Sequence, residues 1–130
     1  MSSIFSKIVS GEIPCYKIAE DANYLAFLDI FPLTKGHVLV IPKKEVDYLF
    51  DLDAETYAGL MNFARKVALG IGKVIPCKRV GVAVLGLEVP HAHIHLVPLN
   101  SERDIDFSKS KLQFTAEEFV ATAKLIAEAV

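Results

Sequence analysis

The chain has 130 residues and a mass of 14.3 kDa, so we expect residues 1–130 to form a single domain. Hydrophobic residues make up 52% and charged residues 23% of the chain, which excludes a disordered, collagen-like or coiled-coil protein. The formal net charge of −2 gives no reason to expect nucleic acid or an anionic membrane as a partner.

The cysteines and the first residues predict the compartment. Cys15 and Cys77 are too few for a disulfide scaffold and do not form a CxxC pair, so we expect two half-buried thiols in a reducing environment. Segment 1–14 has neither a basic n-region nor a long apolar run, so no signal peptide is expected. No stretch reaches the roughly 18 apolar residues of a membrane span. A cytoplasmic protein is therefore predicted.

The N-terminal third is predicted to consist of strands and turns. Segment 4–9 ends at the turn-like segment 10–14. Short strands are expected at 16–20 and 24–29, and the β-branched run 37–41, which a proline stops, predicts a further strand. Because a short loop joins the last two strands, they are expected to pair antiparallel.

A helix is predicted from Asp51 to about Val74. Asp53 is placed to cap it, and Glu55 lies in the first turn, where the helix dipole favours a carboxylate. Apolar residues recur at three- and four-residue steps, which is typical of a helix that buries one face. The members of this stripe are Leu60, Phe63, Ala64, Val67, Ala68 and Ile71.

The second half of the chain predicts two more strands and one more helix. Residues 80–85 predict a strand, and residues 91–97 alternate polar and apolar side chains, as a half-buried strand does. Residues 99–113 are polar and predict a loop. A capping-box sequence at Thr115 opens a helix over about 115–130. This order of elements predicts an α+β fold with an antiparallel sheet.

Three of the four histidines fall within five residues. On a strand, His91, His93 and His95 would project from one face, while His37 opens another strand. Imidazole can act as acid or base near neutral pH and can attack phosphorus while its neighbours donate to phosphoryl oxygens. Two histidines at this spacing can also share a zinc ion. The spacing predicts a functional site and leaves phosphoryl transfer and metal binding open.

The run HAHIHLV at 91–97 resembles the signature of the histidine-triad family, in which three histidines alternate with apolar residues. Segment 4–14 is similar to the opening of the Hint branch of that family. Segments 26–30 and 36–43 follow in the family's order and spacing. The resemblance covers about residues 4–98.

The resemblance implies a histidine-triad fold and an activity. Each subunit would have a five-stranded antiparallel sheet with two main helices, and the two sheets would join across a homodimer. The activity would be hydrolysis or transfer at the α-phosphate of purine nucleoside 5′-phosphoramidates or related adenylates. It would pass through a nucleotidyl-histidine intermediate and need no metal or other cofactor. AMP or an AMP derivative is the expected ligand.

The same resemblance implies the roles of individual residues. His93 takes the position of the nucleophile, His91 and His95 flank it and contact phosphate, and His37 supports them. Asp29 matches a carboxylate that accepts hydrogen bonds from the ribose hydroxyls. The residues that match the apolar pocket around the base are Phe5, Ile8, Ile13, Phe27, Ile30 and Leu39.

The loop before the triad departs from the family pattern. Leu87 and Glu88 stand where the family has a glutamine and a small polar residue, and residues 80–90 contain no asparagine or glutamine. Glu88 falls in the stretch expected to bind the substrate phosphate, which a carboxylate repels unless it turns away. Pro90 removes a backbone N–H. These departures favour an alternative, a nucleotide-binding protein without turnover.

Two kinds of zinc site are considered. Some relatives carry a CxxC near the start that holds structural zinc, but Ser3 and Ser6 stand at those positions here, so that site is not expected. A zinc-dependent hydrolase that uses the row of histidines is the third hypothesis. The helix after Thr115 lies outside the resemblance. Covering one face of the sheet is its simplest role; the alternative, which the resemblance implies, is that the C-terminal region shapes the substrate side and alters specificity.

Overall fold

Short apolar runs bounded by turns build a five-stranded antiparallel sheet in the computed structural model, which describes residues 2–130. The strands lie in the order β1-β2-β3-β5-β4. The predicted α+β class and antiparallel sheet are confirmed, and four of the predicted strands both begin and end within two residues of the observed ones. The observed bounds are β1 (Lys17–Glu20), β2 (Tyr24–Leu28), β3 (Val38–Pro42), β4 (Arg79–Ala83) and β5 (Ile94–Leu99).

Three helices accompany the sheet. Both predicted helix caps are confirmed: the Asp53 carboxylate accepts a backbone N–H of the first turn at 3.1 Å, and Thr115 forms a reciprocal capping box with Glu118. The helix predicted from Asp51 begins later, because residues 49–51 form a separate 3-10 turn. Within residues 2–130, no helix has the length and apolar character needed to cross a membrane. The bounds are α1 (Ile4–Ser10), α2 (Ala54–Val74) and α3 (Ala116–Ala127).

The prediction of strands and turns for the whole N-terminal third is wrong for α1. The Ser3 hydroxyl accepts the backbone N–H of Ser6 and caps this helix, and Gly11 ends it in the left-handed region at φ 87°. Phe5 is its one buried residue. A helix of seven residues is too short to show an apolar stripe, so its sequence carried little periodic signal.

The sheet has two covered faces. Helices α2 and α3 pack on one face, where the predicted stripe of α2 meets the apolar side chains of β2, β3 and β5. On the other face, Phe5 of α1 packs with Leu25, Phe27, Leu39 and Ile41. Because both faces are covered, every residue of β2 and β3 is buried.

The strand predicted at 91–97 is shifted. Strand β5 starts only at Ile94, since Pro90 lacks an N–H and the Ala92 N–H donates to the Val46 carbonyl at 2.7 Å, outside the sheet. The predicted alternation of faces holds, since Ala92, Ile94 and Leu96 lie in the core under α2. The run is not half-buried as predicted, because His93, His95 and Val97 on the other face are buried too. The loop predicted over 99–113 also contains a 3-10 turn at Glu102–Ile105.

Candidate functional site

A cleft of about 460 Å³ opens on the α1 side of the sheet, a volume typical of small-molecule sites. Side chains of α1, β2, β3 and β5 and the loop 85–89 line it. Eleven of the twelve residues singled out from the sequence line the cleft, and His91 does not. The eleven that line it are Phe5, Ile8, Ile13, Phe27, Asp29, Ile30, His37, Leu39, Glu88, His93 and His95.

His93 keeps one ring nitrogen free for a ligand. Its Nδ1 lies 2.7 Å from the backbone carbonyl oxygen of His91, which can only accept, so Nδ1 carries the proton. In the neutral ring, Nε2 then has a free lone pair. The ring packs edge-to-face against Phe5 with centroids 5.0 Å apart, and only 7% of the residue is exposed. The backbone therefore fixes a nucleophilic nitrogen in one tautomer.

His37 and His95 form a hydrogen-bonded pair. The backbone N–H of Leu33 donates to Nδ1 of His37 at 3.0 Å, so Nε2 holds the proton of that ring and donates to Nδ1 of His95 at 2.9 Å. Burial, with a smaller effect of the Lys111 charge, lowers the pKa of His37 to about 4. Burial also lowers the pKa of His95 to about 3. Both rings are neutral at pH 7, and Nε2–H of His95 remains as a donor.

The nearest approach to a metal site involves Asp29, His37 and His95, whose candidate ligand atoms lie within 4.8 Å of one another. A metal on Nε2 of His37 would move the ring proton to Nδ1. There it would face the Leu33 N–H, which already donates to Nδ1. With His37 neutral, its 3.5 Å contact with Asp29 is not an ion pair. The geometry favours a hydrogen-bonded pair over a zinc-dependent site.

His91 lies behind the cleft and is fully buried, so the predicted contact of its side chain with phosphate does not fit this arrangement. Its Nε2–H donates to the Pro42 carbonyl at 2.7 Å, so its Nδ1 accepts the Ser3 hydroxyl at 2.8 Å. Burial is the main cause of a lowered His91 pKa. Glu45 accepts the Ser6 hydroxyl and the Ser3 backbone N–H, both at 2.6 Å. We call Ser3, Ser6, Glu45 and His91 the N-terminal clamp, because together they hold α1 against the triad.

One end of the cleft suits a nucleoside. Phe5 and Phe27 meet edge-to-face with centroids 5.7 Å apart and form part of an apolar wall. Asp29 follows β2 at the rim, where its Oδ1 accepts the Phe31 N–H at 2.8 Å. The other carboxylate oxygen retains acceptor sites. An apolar slot beside a carboxylate can hold a base and the hydroxyls of its sugar.

The loop 85–89 also lines the cleft. Gly86 has φ 77°, a conformation that favours glycine. Leu87 is 89% exposed, and Glu88 is exposed while lining the cleft. The loop therefore places both unusual residues beside the site.

Among the cleft residues that were missed from the sequence are Phe107 and Lys111. Both lie in the segment predicted only as a polar loop, where no periodic pattern or motif marks them. Phe107 packs edge-to-face against His95 with centroids 4.8 Å apart. Glu45 of the clamp was also missed. Only the fold brings it to Ser6 and Ser3, which lie 39 and 42 positions earlier in the chain.

Comparison with known proteins assigns the family. A model of the HIT domain matches residues 10–102, more than half of the chain. The chain belongs to the HIT, or histidine-triad, family. It is 42% identical over 103 residues to an adenosine 5′-monophosphoramidase of Schizosaccharomyces pombe, an alignment that covers 78% of this chain and 77% of that relative.

Solved HIT structures share the fold over nearly the whole chain. A HIT-like protein from Bartonella henselae superposes with a TM-score of 0.86 at 30% identity, covering 99% of this chain and 96% of that one. A hypothetical histidine triad nucleotide-binding protein from Sulfolobus tokodaii gives a TM-score of 0.82 at 28% identity, covering 96% and 89%. The likeness therefore includes α3, which lies beyond the residues that the domain model matches.

Proposed function

We propose that this HIT protein is a metal-independent hydrolase or transferase acting at the α-phosphate of purine nucleoside 5′-phosphoramidates or related adenylates. The observation that carries the proposal is the tautomer of His93: its Nδ1–H donates to the His91 carbonyl at 2.7 Å, which leaves Nε2 free at the cleft. The similarity to an adenosine 5′-monophosphoramidase supports the substrate class.

The proposed reaction has two displacements. His93 Nε2 attacks the α-phosphorus, the bond from phosphorus to the leaving nitrogen breaks, and the amine departs with a proton from solvent. Water then attacks the nucleotidyl-histidine, breaks its bond to Nε2, returns one proton to solvent and releases AMP. The Nε2–H of neutral His95 donates to a phosphoryl oxygen where negative charge grows, while His37 fixes the His95 tautomer through the 2.9 Å bond.

The remaining assignments follow from the lining of the cleft. His91 acts from behind the site by placing the carbonyl that orients His93. Asp29 accepts the ribose hydroxyls. The residues proposed to enclose the base are Phe5, Ile8, Ile13, Phe27, Ile30 and Leu39, all on the cleft wall. Glu88 lines the cleft from the loop 85–89, where its charge would disfavour an anion beside that loop.

The decisive test is release of AMP from adenosine 5′-phosphoramidate in excess EDTA, comparing the wild type with His93→Ala. We expect release by the wild type, none by the variant, and AMP binding by both, which shows that the variant is folded. Activity that disappears in EDTA and returns with zinc would contradict the metal-independent mechanism.

A second candidate is a HIT protein that binds the nucleotide without turning it over. The observation that favours it is the loop 85–89, in which Leu87 is exposed and Glu88 borders the cleft. The same assay separates the two: AMP binding by the wild type with no release from any adenylate would support the binding protein.

We also propose that the chain is one domain that pairs into a homodimer through β4. Strand β4 is an edge of the sheet, and an uncovered edge strand is a template for pairing with another strand. Val82 on this strand is 55% exposed, and Val84 and Leu85 continue the apolar surface. Sedimentation of the wild type as a dimer and of Val82→Lys as a monomer would support this arrangement; a monomeric wild type would contradict it.

A cytoplasmic location is part of the proposal. Cys15 and Cys77 are both free thiols and both half-buried, as in proteins of reducing compartments. Fractionation of cells that express the chain tests this location directly.

A further inference from the structure

The cleft has a single cationic side chain. Within residues 2–130, Lys111 is the only lysine or arginine among the residues that line it, whereas Asp29 and Glu88 bring two carboxylates. The walls are mostly apolar, and an apolar surrounding opposes the entry of an unpaired negative charge. A phosphorylated ligand therefore needs a positive partner, and Lys111 is the candidate.

Lys111 is held in place with one donor to spare. Its Nζ donates to the Phe107 carbonyl at 2.6 Å and to the Lys109 carbonyl at 3.1 Å. An ammonium group has three N–H donors, so one remains for a ligand. The Leu112 N–H donates to the Pro32 carbonyl at 2.9 Å, which ties this segment to the loop after β2. The ammonium group is thus positioned before a ligand arrives.

The position of Lys111 is on the histidine-pair side of the cleft. Phe107, whose carbonyl it contacts, packs against the rings of His95 and His37 with centroids 4.8 and 6.4 Å away. His95 is the ring that keeps an Nε2–H donor at the cleft. A cation and a neutral N–H donor on the same side form a suitable site for an oxyanion.

We propose that Lys111 forms an anion subsite that pairs with an oxyanion of the bound nucleotide, either an α-phosphate oxygen or an oxyanion on the leaving group. This inference rests on the proposed function. Lys111 lies outside residues 10–102, the range that the HIT domain model matches, so the family match does not assign it. The subsite would make this protein favour phosphorylated and acidic substrates over neutral nucleosides.

The experiment measures the dissociation constants of adenosine, AMP and ADP by calorimetry for the wild type and Lys111→Met. Loss of one charge-assisted hydrogen bond is expected to weaken AMP about tenfold and to leave adenosine within about twofold. Equal losses of affinity for AMP and ADP identify an α-phosphate oxygen as the group that pairs with Lys111. A loss of affinity confined to ADP identifies an oxyanion beyond the α-phosphate. The loss should shrink at high salt.

The matched control is Lys109→Met, which removes the same charge from the same segment but not from the cleft lining. It should leave all three constants unchanged, and Lys111→Arg should retain most of the AMP affinity. If Lys111→Met weakens adenosine as much as AMP, or changes nothing, the subsite is wrong. If the wild type binds none of the three ligands, the proposed function fails instead.

Discussion

Removal of the Ser3 hydroxyl tests the N-terminal clamp. In Ser3→Ala, the buried Nδ1 of His91 loses its 2.8 Å donor, which costs about 1–3 kcal/mol. Helix α1 also loses its capping oxygen, at about 1 kcal/mol. We expect the free energy of unfolding to fall by about 2–4 kcal/mol, and Tm to fall by roughly 8–16 °C for a domain of this size.

Thermal and urea unfolding measure the loss, and Ser10→Ala is the control. Ser10 ends the same helix and is exposed, and its hydroxyl donates to the Lys7 carbonyl and accepts the Glu12 N–H at 3.4 Å. Because these contacts are exposed, its removal should cost at most about 0.5 kcal/mol. AMP release should fall in Ser3→Ala alone, because His91 carries the carbonyl that orients His93. Equal stability of the two variants would refute the clamp.

Three further predictions concern ribose binding by Asp29, the His37–His95 pair, and the packing of Tyr24 against α2. Asp29→Asn should weaken AMP more than 2′,3′-dideoxy-AMP; an equal loss in calorimetry would remove Asp29 from the ribose site. Burial puts the folded pKa of His37 at about 4 and that of His95 at about 3, below the unfolded value near 6.5. The contribution of these two neutral histidines to the free energy of unfolding is therefore complete above pH 6.5 and is lost as the pH falls toward 4. Urea unfolding across this window should show stability rising with pH, and more weakly in His37→Asn. Gly59→Ala would place a Cβ in steric conflict with the Tyr24 hydroxyl and should cost about 1–3 kcal/mol in thermal unfolding, whereas an unchanged Tm would show that Tyr24 can move.

Patterns with a period were predictable from the sequence. The stripe from Leu60 to Ile71 and the alternation around Ile94 are repeated signals, and burial in the core enforces both. The boundary of β5 was not predictable, because it depends on the Ala92 N–H donating to Val46 rather than to a neighbouring strand. Helix α1 escaped prediction because it is held by its caps, one buried ring and the long-range contacts of the N-terminal clamp rather than by a periodic pattern.

The part of the candidate site that could be predicted is the part marked by a sequence motif. Closely spaced histidines and the resemblance together named eleven residues that the fold does bring to one cleft. Phe107 and Lys111 could not be found in this way, since they reach the cleft through a loop whose course is fixed by the Leu112 to Pro32 hydrogen bond. Tertiary contacts of irregular segments leave no local pattern.

The ring orientation in this site is specified by main-chain atoms. The Leu33 amide sets the tautomer of His37, the His91 carbonyl sets that of His93, and the Pro42 carbonyl sets that of His91. Ordinary side-chain substitutions at positions 33 and 42 leave those atoms in place. Homologues with other apolar side chains that fill the buried space at position 33 would thus retain the same chemistry, and an alignment would not reveal the positions that orient the histidines. Only a proline at position 33 would remove one of these main-chain contacts, because it lacks the N–H that donates to Nδ1 of His37.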